Sequence, residues 1–447
     1  MRAVTVPAGR GKDGPVRPRA TGGTAAGLLL AAVVLYALNL RGPIVAVAPI
    51  VQDVAAGLGI SVAAAGVFSS IPVVLFAVAT PLAAFLMRRA SLETTILLSL
   101  AVVALGTVVR SLGDFAWAVT GTVVIGAAIA VGNVVVPVIV RRDFRGREGV
   151  VNGVYTASLN AGSVLTTALT APLADLVGWR WALASWALLT LVAGAVWWRV
   201  RGRAMPGPQA VAGEEAGVDA APGRARDASA TGSPPVAARS TGAALERGSG
   251  GPARPVWRRG DVWLLVAAMG GQSFSYYALS AWLPTLLADT VGLDANGAGV
   301  ASAAFQAFAV VGAIGAPVLM ARGVSTRVVL VGLALLWVAL PVGLLLAPGA
   351  NVVWMSCAGV AQGGNFTVLI TIMGRRARDG REMQRMSAFV QGCGYGFAAT
   401  GPTLLGVVHT ASGGWTVPLV VVLGALTVMA TAGLAVASAR PLPARPV

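Results

Sequence analysis

Twelve stretches of about twenty mostly apolar residues follow one another along this chain, and nothing else in the sequence constrains its folding as strongly. They cover residues 25–50, 62–87, 94–112, 115–140, 149–172, 179–198, 261–287, 297–320, 327–347, 351–374, 386–408 and 415–437. A hydrocarbon core takes about 20 helical residues. Backbone groups in lipid must be satisfied within the segment, so runs of this length read as membrane-spanning helices. Their ends carry chemical markers: Arg88-Arg89 after the second, Arg141-Arg142-Asp143 after the fourth, Gly178-Trp179-Arg180 at the sixth, Pro348-Gly349 before the tenth. Charged residues make up 11% of the chain, against about 25% in an ordinary soluble domain. A soluble globular protein is excluded, and the pattern predicts an all-α integral membrane protein.

The net charge of +16 would suit a nucleic-acid or membrane surface, depending on where it sits. With the N-terminus inside, all but three of the 33 Lys and Arg fall on inward-facing segments. The exceptions are Arg110 and Arg180 on outer loops and Arg41 within a span. Such asymmetry places both termini in the cytoplasm and makes the inner (plasma) membrane the expected location, with the lipid bilayer as partner and no nucleic acid. The arginine pairs at 88, 141 and 375 read as topology anchors and lipid-headgroup contacts. The basic N-terminal stretch imitates a signal peptide, but its apolar run is too long and lacks a small-x-small cleavage site, so the first span is expected to remain.

Residues 199–260 are rich in Gly, Pro, Ala, Ser and Arg without apolar periodicity, and read as a disordered cytoplasmic linker. The predicted organisation is a tail (1–24), a six-helix bundle (25–198), the linker (199–260), a second six-helix bundle (261–437) and a tail (438–447). The halves echo each other weakly. Gly132-Asn133 before Arg141-Arg142-Asp143 is matched by Gly364-Asn365 before Arg375-Arg376, and Pro81 before Arg88-Arg89 by Pro317 before Arg322. Two repeats joined by a long inside loop form the ground plan of a secondary transporter with its site at the repeat interface.

On these features the chain resembles the major facilitator superfamily throughout, except in its tail and linker. Asn39-Leu40-Arg41-Gly42-Pro43, the stretch Gly126 to Pro137 leading to Arg141-Arg142-Asp143-Phe144, and Tyr155-Thr156 resemble, more narrowly, the cyanate and 2-nitroimidazole transporter family. The superfamily's loop signature G-x-x-x-D-R-x-G-R-K appears only as Phe85-Leu86-Met87-Arg88-Arg89-Ala90, without its aspartate. The Gly-Pro-rich fifth-helix motif of proton-driven drug antiporters is missing between Ala157 and Ala171. The resemblance implies alternating access, a monomer, and a cavity lined by the first, fourth, seventh and tenth helices.

Arg41 is the sharpest single feature, the only formal charge well inside a predicted span. A helix-centre arginine costs about 2.5–3.5 kcal/mol on insertion scales, so it should face a wet cavity or a partner. No Asp or Glu is placed at membrane depth to pair with it, and its forked donors suit a carboxylate or other small anion. Its alternative use is to snorkel outward or bond carbonyls freed at Gly42-Pro43. Asn39 lies about 200° around the helix from Arg41, so one of the two should be structural, whereas Tyr36 and Asn39 share a face. Gln272 and Tyr276, with Tyr277 beside them, stack on one face of the seventh span, and Gln362 and Asn365 share a face of the tenth. Through the resemblance, Arg41, Asn39, Asn133, Gln272, Tyr276, Gln362 and Asn365 become candidate substrate-binding residues, with Gln306, Tyr155 and Gln391 weaker. Each amide has an alternative reading as packing glue between helices. Amides, phenols and one arginine suit a small polar or anionic solute, cyanate-like by resemblance. The alternative is efflux of neutral nitroheterocycles or drug-like compounds.

No cofactor, metal site or enzymatic activity is expected. His409 stands at a span end without a companion ligand, Cys357 and Cys393 lie inside apolar runs, and no nucleotide-binding glycine loop or Walker-type lysine is present. Asp53, Glu93 and Asp143 fall at span ends, so no membrane-embedded acid serves as a proton relay. A cavity holding unpaired Arg41 carries about +1 when empty, and closing it dry is costly, so exchange should outrun net flux.

Overall fold

The computed structural model describes residues 23–78, 85–87, 89–144, 147–201, 255–378 and 380–439. Most of the linker (202–254), both chain ends, Pro81 and Arg88 lie outside the described residues. The first half comprises α1 (Gly23–Val45), α2 (Val51–Leu58), α3 (Val62–Ala65), α4 (Val67–Val78), α5 (Leu92–Ser111), α6 (Phe115–Asp143), α7 (Glu148–Val177) and α8 (Trp179–Arg201). The second comprises α9 (Gly260–Val291), α10 (Ala295–Ala321), α11 (Thr326–Leu346), α12 (Asn351–Arg376), α13 (Gly380–Ala398), α14 (Thr400–Ser412) and α15 (Thr416–Ser438). The protein is an all-α membrane protein of twelve spans: α1 enters α2 through a short 3-10 turn at Ala48–Ile50, α3 and α4 share the second span, and α13 and α14 form the eleventh. The eleventh is interrupted at Ala399 because Pro402 cannot return an N–H to the preceding turn.

The two halves repeat each other in packing more clearly than in sequence. Spans one and five, three and four, three and six, two and four, and one and six pack together in the first half. The same pairs, shifted by six spans, pack in the second. Even the caps repeat. Ser91 caps α5 and Ser325 caps α11, each accepting from the backbone N–H three residues on. An arginine from the end of the following helix reaches each site, Arg142 to Glu93 and Arg375 to the Thr326 hydroxyl.

Among the described residues, eight helical stretches are long and apolar enough to cross a membrane, with Val62–Val78 a shorter apolar piece. Spans five, seven and eleven fall outside that set, being longer on Ser, Thr, Gly, Gln and Tyr. They lie where the halves meet, since α7 packs on α10, α9 on the 3-10 turn, and α13 and α14 on α4 and α3. A helix shielded from lipid by a neighbour on each side can carry polar residues that a peripheral one cannot.

Close contacts between the halves gather at the end of the bundle away from the chain termini. A Cβ on Gly66 would lie 3.0 Å from the Pro402 carbonyl oxygen, and one on Gly299 2.7 Å from that of Thr167. Glycine is what lets the backbones approach. The Ser70 and Thr403 hydroxyls are 2.9 Å apart, and Asn296 donates to Asp175 at 2.8 Å across the same seam. At the termini end, the described polar links stay within one half: Arg142 with Glu93 and Asp143, Arg259 with Asp261 and Glu382, Arg376 on the Val436 and Ala439 carbonyls. The two carboxylates beside Arg259 hold its guanidinium above the usual arginine range.

Two expectations about arginine change here. Arg142 and Arg376 are engaged by the protein's own carboxylates and helix-end carbonyls, because each terminates a helix beside another helix end. Arg110 is not an exposed loop residue. It is 3% exposed and donates to the Pro43 carbonyl at 2.6 Å, where α1 ends, with Nε and Nη2 lacking a partner among the described residues. Arg41 therefore shares the buried interior with a second arginine. Arg180 similarly serves the Ser111 and Gly113 carbonyls.

Candidate functional site

Where the halves meet, a cavity of about 40 Å³ is lined by Arg41 of α1, Thr156 and Asn160 of α7, Gln272, Ser273, Tyr276 and Tyr277 of α9, Ala313 of α10, Gln362, Gly363, Phe366 and Thr367 of α12, and Tyr395 of α13. That is room for roughly three waters at about 10–15 Å³ each. Arg41 Nη1 donates to Asn160 Oδ1 at 3.1 Å, and Asn160 is itself oriented by donating to the Thr156 carbonyl at 3.0 Å. From the other half, the Tyr276 ring lies under the guanidinium, 5.0 Å from its carbon to the ring centroid. The ion pairs among the described residues all involve other side chains, so Arg41 meets the cavity without a carboxylate partner.

Gln272 Nε2 donates to the Gln362 carbonyl at 3.0 Å, which fixes that amide's orientation; among the described residues neither Gln272 Oε1 nor Gln362 Nε2 has a partner. Tyr276 donates to Gln306 Oε1 at 3.2 Å, and Gln306 Nε2 to the Ser280 hydroxyl at 3.2 Å. Tyr277 and Tyr395 stand edge to face at 6.3 Å, and both meet Phe76 of the opposite half, at 6.5 and 6.0 Å. The site thus offers a forked cation, amide donors and an acceptor, and a partly aromatic wall.

Four of the seven candidates read from the sequence, Arg41, Gln272, Tyr276 and Gln362, come together on this cavity; Asn39, Asn133 and Asn365 do not line it. Asn39 is turned to the opposite side of α1, as the 200° offset requires. It accepts from the Thr190 hydroxyl of α8 at 2.8 Å and donates to the Leu35 carbonyl. Tyr36 shares that side, at 2.8 Å from the Ser99 hydroxyl. Asn133 is exposed beside Gly132, the residue over which the Tyr36 hydroxyl lies. Asn365 is buried away from the cavity lining, its Nδ2 without a partner among the described residues. Gln306 is buried behind Tyr276, Tyr155 packs against the core of the first half, and Gln391 donates to Ser387. His409, read as an isolated span-end residue, stacks on Trp415 at 4.1 Å with its Nε2 3.8 Å from Asp289, which the fold brings to it.

Of the polar lining residues, sequence reasoning missed Thr156, Asn160, Ser273, Thr367 and Tyr395. The first two carried a signal, being polar residues four apart on one face of a long apolar run. Tyr155, the candidate from this helix, lies one position and about 100° away from Thr156.

A sequence profile of the Major Facilitator Superfamily matches residues 28–378. An uncharacterized transporter of Bacillus subtilis is 30% identical over 412 residues, 91% of this chain and 92% of the relative. The 2-nitroimidazole transporter of Escherichia coli is 28% identical, with 91% and 94% covered, and the cyanate transport protein of the same organism 23%, with 87% and 91% covered. Among solved structures, a D-xylose–proton symporter superposes with a TM-score of 0.65 at 12% identity, covering 92% of this chain and 96% of that one. At that identity the likeness concerns the fold.

Proposed function

Because the chain belongs to the major facilitator superfamily and is a multi-pass membrane transporter, we propose that its cargo is a small anionic or polar solute held at Arg41 and moved by alternating access. The observation that carries this reading is Arg41 itself: a cation at the seam between halves, on a cavity, donating to the Asn160 amide oxygen and with no carboxylate among the described lining residues. A forked guanidinium beside the free Gln362 amide can grip two oxygens of one planar group, and in a dry site such charge-assisted bonds are strong. With the termini cytoplasmic, in the inner membrane and as a monomer, the sealed end of the bundle is the outer one, so this conformation is closed to the outside.

A second reading keeps the site and changes the cargo to a neutral nitroheterocycle. It is favoured by Tyr276, Tyr277, Tyr395 and Phe366 on the cavity wall and by the relative named a 2-nitroimidazole transporter. A nitro group presents two oxygens to the same fork without a full charge. Thermal-shift measurements on purified protein, wild type beside Arg41→Gln, separate the two, using cyanate, nitrate, small carboxylates and 2-nitroimidazole. Stabilisation by an anion class that disappears in the variant supports the anion reading. Stabilisation by 2-nitroimidazole alone supports the second reading, and ligand stabilisation unchanged in Arg41→Gln refutes both assignments of Arg41.

A further inference from the structure

If Arg41 receives the cargo, the empty carrier poses a problem: a guanidinium left alone between two closing halves is a desolvated charge. The halves meet at one end of the bundle, and the cavity of about 40 Å³ beside Arg41 has no carboxylate among its described lining residues. What faces the guanidinium from the opposite half is the Tyr276 ring. That ring is held rigidly. Phe305 stacks on it at 6.0 Å and 27°, Tyr277 meets it edge-on at 4.9 Å and 77°, and its hydroxyl is bonded to Gln306. An aromatic face attracts a cation through its quadrupole, most strongly when both are out of water.

We propose that the Tyr276 ring is the counter-group of Arg41 in the empty carrier, replacing part of the anion's attraction so that the halves close without cargo. This rests on the reading of Arg41 as the cargo anchor. Asn160, on the same half as Arg41, cannot perform this role, because its bond to Arg41 is indifferent to whether the halves are apart or together. The Arg41–Tyr276 contact spans the two halves, so separating them there would break it. It is a cross-half latch sensitive to the charge at the site, and it gives the empty carrier a return path that a bare +1 cavity lacks.

The test uses ligand-free protein in nanodiscs, with gluconate as the only anion. Spin labels at exposed Leu176→Cys and Leu346→Cys, one on each half near the sealed end, report the closed and open populations by pulsed dipolar spectroscopy in a Cys357→Ser, Cys393→Ser background. Tyr276→Leu should lower the closed-to-open ratio roughly thirtyfold, the scale of a desolvated cation–π contact. Tyr276→Phe, which keeps the face and loses the hydroxyl, should match wild type. Arg41→Gln with Tyr276→Leu should recover closure, since no charge then needs offsetting, and Arg41→Gln alone should close at least as well as wild type.

An unchanged ratio in Tyr276→Leu would overturn the proposal. So would a double variant as open as Tyr276→Leu, which would mean that the ring acts by packing, or a Tyr276→Phe variant as open as Tyr276→Leu. A loss of closure in Arg41→Gln overturns it even if Tyr276→Leu does not fold. No cargo enters the measurement, so failure of the anion reading in the thermal-shift comparison is recognised separately.

Discussion

Gly299→Val should force the sealed end of the bundle open. In α10, a Cβ on Gly299 would stand 2.7 Å from the Thr167 carbonyl oxygen of α7, some 0.7 Å inside the 3.4 Å at which ordinary contact begins. The obstacle is backbone of the opposite half, so no rotamer change relieves it, and the remaining freedom is separation of α10 from α7. Overpacking of this kind costs about 1–3 kcal/mol. The cost falls only on the conformation in which these two helices touch, and it corresponds to a shift of about 5- to 150-fold between closed and open states. Ser70, 7% exposed and bonded to Thr403 across the same seam, provides the reporter. With Cys357 and Cys393 replaced by Ser, Ser70→Cys should react with a membrane-impermeant maleimide at least about fivefold faster in the Gly299→Val background, provided that opening limits access. A rate within twofold of the parent, in protein with an unchanged melting temperature, would refute the claim that this contact belongs to one end of an alternating seam.

Asn39→Leu should lower the melting temperature of the detergent-purified protein by an amount corresponding to about 1–2 kcal/mol, because it strands the Thr190 hydroxyl's partner position in a buried contact. It should leave cargo stabilisation intact, and a change in ligand response would show that Asn39 reaches the cavity. Arg110→Met should be neutral or stabilising: the guanidinium makes one carbonyl bond while two of its nitrogens are buried unpaired, and an apolar replacement of a poorly satisfied buried ion commonly costs nothing. A clear fall in melting temperature would mean that the Pro43 carbonyl depends on it. In proteoliposomes with cyanate as the probe and membrane potential clamped, counterflow should exceed net efflux. Equal rates would show that closing the empty site carries no charge penalty once Tyr276 is in place.

Span number, the six-plus-six division and the chemical class of the interior were legible because they depend on composition and period, which the chain carries locally. Lipid demands long apolar helices, and the runs are there to be counted. The site was legible only in part. Arg41 declared itself because a charge within a span has few places to go. Gln272 and Tyr276 did so because two polar residues four apart define a face. Arg110 did not, since one residue from the end of α5 the same side chain can lie in water or beneath a neighbour. Only the position of α1, with Pro43 at its end, determines that it is covered.

The amides show the deeper limit. Asn39, Asn160 and Gln362 are all side-chain amides on membrane helices, and each is used differently: Asn39 bonds the sixth span of its own half, Asn160 accepts from Arg41, and Gln362 lines the cavity. What separates them is the rotation of each helix about its axis. That rotation is set by tertiary contacts such as Gly132 beneath Tyr36 and Gly299 against Thr167, where the absence of a side chain fixes which faces meet. For a bundle whose helices are apolar nearly all round, the small residues therefore specify the site as much as the polar ones do. A sequence reading that tracked glycine faces would have turned α1 with Arg41 toward the seam and Asn39 away from it, and would have found Asn160 on the facing helix.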